Sequence, residues 1–146
     1  MDSVKLSRAL AAVPCFVGVF SRDTLPTIAT RPAALIVNTD KTTDPGTHWL
    51  AIYLDTDRRG EFFDPFGLPP LFKELFHFLE NHCPAGYRYN TQTLQNVALQ
   101  STTCGQYCLL YVFLRCKGYA FNDMLTLFSG TNTALNDLLV RCYTGY

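Results

Sequence analysis

The sequence predicts an α+β fold, and three stretches carry the expectation. Residues 47–55 form an apolar run whose alternate side chains fall on two faces, residues 61–64 read as its hairpin partner, and residues 104–117 are apolar almost all round, as a buried helix requires. The 146 residues suit one domain, 1–146, long enough to bury roughly two thirds of the surface that the unfolded chain exposes.

In chain order, residues 4–13 carry Leu6, Leu10 and Val13 at helical spacing and stop at Pro14, which predicts a short leading helix. Residues 16–35, interrupted by Pro26 and Pro32, read as irregular chain, and a short apolar strand follows over 33–38 around Ile36 and Val37. The segment 40–46 is dense in Thr, Asp, Pro and Gly, which is turn chemistry, and it delivers the chain to His48 at the start of the 47–55 strand. There His48, Leu50, Ile52 and Leu54 share one face. Residues 55–60 are polar and turn-like, and Pro65 ends the returning strand. A three-residue turn at 55–57 sets Asp64 opposite His48, at roughly 5 Å, whereas a one-residue slip sends the two to opposite faces.

Downstream, Pro69 and Pro70 mark a helix entrance, and Leu71, Leu75, Phe76 and Leu79 recur at helical spacing until Pro84 and Gly86 close the segment. Residues 87–97 read as extended chain, either one run or two short strands. The 104–117 helix has Val112 as its one β-branched residue, Arg115 and Lys117 in its last turn and Gly118 just beyond. Residues 122–128 and 131–142 predict two more helices, separated by Gly130.

Twelve basic and twelve acidic side chains cancel, so the summed charge points to neither a nucleic acid nor an anionic membrane as partner. A hydrophobic share of 48% with 14% aromatics excludes a disordered chain. No apolar run approaches the ~18 residues of a membrane span, and the start of the chain lacks a signal-peptide pattern, so a soluble, intracellular protein is the expectation. The cysteines at 15, 83, 104, 108, 116 and 142 lack the close paired spacing of a secreted disulfide framework and are read as reduced. Neither Cys104 with Cys108 nor His77, His82 and Cys83 has the spacing of a structural zinc site, and no metal or cofactor is expected.

The chemistry concentrates on three residues. Cys104 begins a helix, where backbone N–H groups and the positive end of the dipole stabilise a thiolate. A free thiol, with a pKa of about 8.5, is mostly protonated at neutral pH, so a nucleophile here needs a base, for which His48 is the candidate. An imidazole in turn needs a partner that holds one ring nitrogen, the role assigned to Asp64. Acyl transfer also puts negative charge on oxygen; the Cys104 N–H and a side-chain amide, with Gln100 as candidate, make a suitable hole for it. Gly105 beside the nucleophile and Gly46 before His48 lack the Cβ that would obstruct a substrate backbone, and Trp49 reads as a hydrophobic wall beside the imidazole. Taken singly, each of these residues has a packing explanation; the combination carries the signal.

Gly46-Thr47-His48-Trp49-Leu50-Ala51, Phe63-Asp64-Pro65-Phe66-Gly67 and Gln100-Ser101 followed by Cys104-Gly105-Gln106-Tyr107-Cys108 occur in that order. With these pieces, from about Phe16 to about Arg115, the chain resembles the adenovirus endopeptidase (adenain) group and its relatives from Maverick or Polinton-type transposons and related DNA viruses. A broader kinship is with proteases that process ubiquitin-like modifiers such as SUMO. The resemblance implies a papain-like α+β fold with a small sheet packed against helices, and a cysteine endopeptidase with His48 as base, Asp64 as orienter, Cys104 as nucleophile and a glutamine in the oxyanion hole. The family glutamine sits at a spacing between those of Gln100 and Gln95, so both stay candidates. The implied partner is a polypeptide, a viral or transposon polyprotein with small residues such as glycine near the cleaved bond; the implied setting is host nucleus, cytoplasm or virion. An activating peptide or DNA is a partner by family analogy only, and this neutral, shorter chain shows no basic surface for DNA. The alternatives are a ubiquitin-like-modifier protease or isopeptidase, and an inactive scaffold or capsid-associated relative.

Overall fold

The computed structural model describes residues 1–97 and 101–146. The architecture is α+β, a five-stranded sheet with helices on both faces. Helix α1 (Ser3–Leu10) leads into β1 (Phe16–Ser21), β2 (Ala33–Asn38), β3 (Trp49–Leu54) and β4 (Gly60–Phe63). Then come α2 (Lys73–His82), β5 (Tyr87–Tyr89), α3 (Cys104–Cys116), α4 (Phe121–Leu125) and α5 (Thr133–Thr144). The strands lie in chain order, with β2-β3 and β3-β4 antiparallel and the outer pairs β1-β2 and β4-β5 parallel.

Alternation along the strands feeds two cores. Ala34, Ile36, Ala51 and Phe63 pack with α3 and with Leu6 and Leu10 of α1, whereas Leu35, Val37, Leu50, Ile52 and Phe62 pack against Leu75, Phe78 and Leu79 of α2. Covered on both faces, β2 is buried at all six positions, which explains why it reads as a continuous apolar run. Helix α3 buries Cys104, Gly105 and Tyr107 through Val112, so its lack of an obvious polar stripe reflects its place against β2 and β3. Its last polar groups are paired: buried Glu61 of β4 accepts from the Tyr111 hydroxyl at 2.7 Å and from Arg115 Nε and Nη2 at 2.8 Å each.

The structure departs from the sequence expectations in four places. The 16–35 stretch is not wholly irregular, because Phe16–Ser21 adds a parallel edge strand to β2, with a register shift between Phe16 and Gly18. Its partner is distant in sequence and its positions are mostly half-buried, so the alternation is faint. Only three residues of 87–97 form a strand. The β3-β4 turn is displaced: Asp55 N–H donates to Arg59 O, leaving 56–58 as the three-residue loop, and Arg58 supplies the left-handed conformation with φ of 63°. Finally, two of the cysteines are not reduced. Cys15, before β1, and Cys116, ending α3, form a disulfide with Cα atoms 5.8 Å apart, although 101 positions separate them in sequence. Spacing rules see only local pairs, and this one is made by packing α3 across the sheet. Among the described residues, no helix is long and apolar enough to cross a membrane.

Candidate active site

The Asp64-Pro65-Phe66-Gly67 motif folds as a turn, closed by a 2.8 Å bond from Gly67 N–H to Asp64 O. One carboxylate oxygen of Asp64 accepts the Phe66 N–H at 2.8 Å and faces His48 Nε2 at the same distance, so the turn backbone aims the acid at the imidazole. The Phe66 ring stacks on the imidazole, 4.4 Å between centroids and 11° from parallel, which fixes the plane of the histidine. Buried Asn90 holds the acid's own backbone on both sides, accepting from Asp64 N–H at 3.0 Å and donating to Asp64 O at 2.6 Å.

Gly67 makes the turn possible. Its φ is +75°, and a Cβ there would lie 2.8 Å from Gln92 O and 2.9 Å from Thr91 O. That close approach docks the turn on the 91–95 segment, where Pro65 O accepts the N–H groups of Leu94 at 2.9 Å and Gln95 at 3.0 Å.

With Nε2 turned to Asp64, the ring leaves Nδ1 for Cys104, which lines the same cleft and acts on the imidazole's titration. Cys104 is the first residue of α3, and the backbone N–H groups of Trp49 and Gly105 favour its thiolate. Burial disfavours a charged imidazole, but the Asp64 and Cys104 interactions outweigh it and carry His48 up to about 9. Burial pushes the Cys104 thiol up, and the bond from His48, those two N–H groups and the imidazolium charge pull it below its ordinary value. Opposite shifts on two bonded groups describe one coupled pair whose favoured state is thiolate with imidazolium.

A cleft of about 250 Å³ opens onto this pair, lined by Met1, Thr47, Trp49, Phe66, Gln95 and Ser101 among others. The structure brings His48, Asp64 and Cys104 together. Gln100 lies outside the described residues. Gln95 is buried at the cleft; its Nε2 donates to Ser101 O at 2.7 Å, leaving the second amide hydrogen free of that bond, and its Oε1 has no partner among the described residues. The reason for Gly105 also changes. A Cβ there would meet Met1 Cβ at 2.9 Å and Trp49 Cδ1 at 3.3 Å, so the bare α-carbon admits the wall of the cleft rather than a ligand. That wall is held by Trp49 Nε1, which donates to Met1 O at 2.8 Å. Phe66 was within reach of sequence reasoning through its motif; Asn90 and Met1 carry no local signal, since only tertiary contacts bring them to the site.

No protein-family model matches the chain, and no curated protein sequence matches it. Among solved structures, the ASFV pS273R protease is similar with a TM-score of 0.53 and 21% identity, over 73% of this chain and 42% of that one. The central domain of the uncharacterized Lpg1148 protein from Legionella pneumophila has a TM-score of 0.44 and 14% identity, over 88% of this chain and 86% of that one. The L. pneumophila effector RavZ has a TM-score of 0.36 and 15% identity, over 77% and 38%. The first likeness shows the fold: a mixed α+β sheet-and-helix body of the papain-like protease type. This chain spans about two fifths of the length of the ASFV protease.

Proposed function

We propose that the chain is a cysteine endopeptidase of one domain, 1–146, in which Cys104 is the nucleophile, His48 the acid and base, and Asp64 the orienter. The observation that carries this reading is the 2.8 Å contact from His48 Nε2 to Asp64 on an imidazole that shares one cleft with Cys104, at the start of α3, and whose titration is coupled to it. The thiolate attacks a peptide carbonyl, forming a C–S bond while the C=O π electrons move onto oxygen. The resulting oxyanion is met by the Cys104 N–H and a glutamine amide, a role we assign, of the candidates Gln95 and Gln100, to Gln95, which lines the cleft among the described residues. Imidazolium then gives its proton to the departing amine, leaving an acyl-enzyme; His48 next removes a proton from water, which attacks the thioester and frees Cys104.

The adenain-like motifs support polypeptide substrates of the viral or transposon polyprotein kind, with small residues such as glycine at the cleaved bond. The fold likeness to the ASFV pS273R protease supports a polypeptide substrate and no narrower class. A thiol-reactive probe should label the wild type and not Cys104→Ala, and His48→Ala should lose cleavage of a mixed peptide library. Equal labelling of wild type and Cys104→Ala overturns the assignment. Ubiquitin- and SUMO-type activity probes that react preferentially would move the substrate to modifier conjugates.

A further inference from the structure

The buried carboxylate of Asp137, on α5, has no part in the mechanism above, yet one of its oxygens collects three donors from two separate segments. Asn96 N–H reaches Oδ1 at 3.3 Å, Thr103 Oγ1 at 3.1 Å and the Tyr107 hydroxyl at 2.9 Å. Asn96 follows Gln95, and Thr103 precedes Cys104. The same helix contributes Asn136, whose Nδ2 donates to Leu94 O at 3.2 Å, the carbonyl that also lies 3.1 Å from the Tyr107 hydroxyl. Tyr107 has one hydroxyl proton and two acceptors within reach, and the charged oxygen is the stronger. Gln95 and Cys104 are thus each one residue from a bond to the same oxygen. Thr103 makes no side-chain cap on α3, so its hydroxyl is committed to this contact and to Ser101 Oγ at 2.7 Å.

We propose that Asp137 is a positioning residue that sets the spacing between the Gln95 amide and the Cys104 sulfur, and so preforms the oxyanion hole. This rests on the peptidase reading above. Removing the carboxylate frees both segments at once but leaves the Cys104–His48 pair, which is held by Asp64 and Phe66 from the other side of the cleft. Two reactions of the same sulfur separate these effects. Alkylation by iodoacetamide needs only the thiolate. Addition to acetyl-glycyl-glycinal forms a C–S bond, breaks the C=O π bond and places an oxyanion in the hole, while the former thiol proton stays on His48.

The experiment measures iodoacetamide alkylation of Cys104 and the Kd of acetyl-glycyl-glycinal, read as protection from alkylation, with exposed Cys142 as internal control. Asp137→Ala should alkylate at a rate within about 3-fold of wild type and bind the aldehyde at least ~10-fold more weakly. Asp137→Asn, which keeps an acceptor oxygen, should recover most of the binding, and Thr103→Val should weaken it by a smaller factor. If Asp137→Ala does not fold, the Asn and Val variants carry the test. Aldehyde binding at wild-type strength in every folded variant overturns the proposal, as does a proportional loss of both reactions, which marks a purely structural role. Wild-type Cys104 reacting no faster than Cys142 instead overturns the peptidase reading, and the proposal with it.

Discussion

Asp64 meets His48 on a diagonal of the β3-β4 hairpin. Ala51 pairs with Phe63, so the register continued by one step sets Asp64 across from Leu50, two positions from His48 and on its face. The gap is closed by the turn at Pro65, which swings the carboxylate back to 2.8 Å from Nε2.

Asp64→Asn keeps the shape of that contact and removes its charge. Peptide turnover should fall by roughly 10²-fold or more, and the melting temperature at neutral pH should also fall, because the charge that holds the buried His48 proton is gone although the amide oxygen still accepts the Phe66 N–H. Steady-state kinetics and a melting curve check both halves.

The pH profile follows from the coupled pair. His48 is raised from 6.5 to about 9, so the stability its proton contributes is full below 6.5 and lost as pH rises through about 9. Cys104 is lowered, so the contribution of its thiolate is lost as pH falls through the lowered value. Turnover should therefore decline above about pH 9, where the leaving amine loses its acid, while iodoacetamide alkylation persists. In Asp64→Asn the upper limb should move to lower pH.

Gly67→Ala places a methyl against two backbone carbonyls that cannot step aside, at a φ that L-residues avoid. A loss of roughly 2–4 kcal/mol in urea denaturation is expected, together with weakened turnover, since the same turn carries Asp64 and anchors Gln95.

Glu61→Gln tests the polar end of α3. The Glu61 and Arg115 side chains are only 7% and 12% exposed, and removing the charge leaves the guanidinium short of its counter-ion. A shift in urea midpoint worth about 3 kcal/mol, with an unchanged slope, is expected.

The cross-link between Cys15 and Cys116 closes most of the chain into a loop. Replacing both by serine should cost about 3–5 kcal/mol on the loop-entropy account. Identical denaturation of wild type with and without reductant would rule the bond out.

Periodicity and local chemistry determined much of this protein. The apolar runs at 33–38 and 104–117, the strand pair around Asp55 and the helix after Pro70 are legible, because burial imposes a period on neighbouring residues, whereas the register that puts His48 and Asp64 on one face was left open. Tertiary structure alone decided the parallel edge strand β1, the Cys15–Cys116 bond, the two-residue shift of the hairpin, the arrival of Gln95 at the cleft, and the packing of Asn90 on Asp64 and of Asp137 on Thr103 behind it. Each depends on a contact between residues far apart in the chain, or on one left-handed residue in a turn, and no local pattern encodes the distance between groups that only packing brings together.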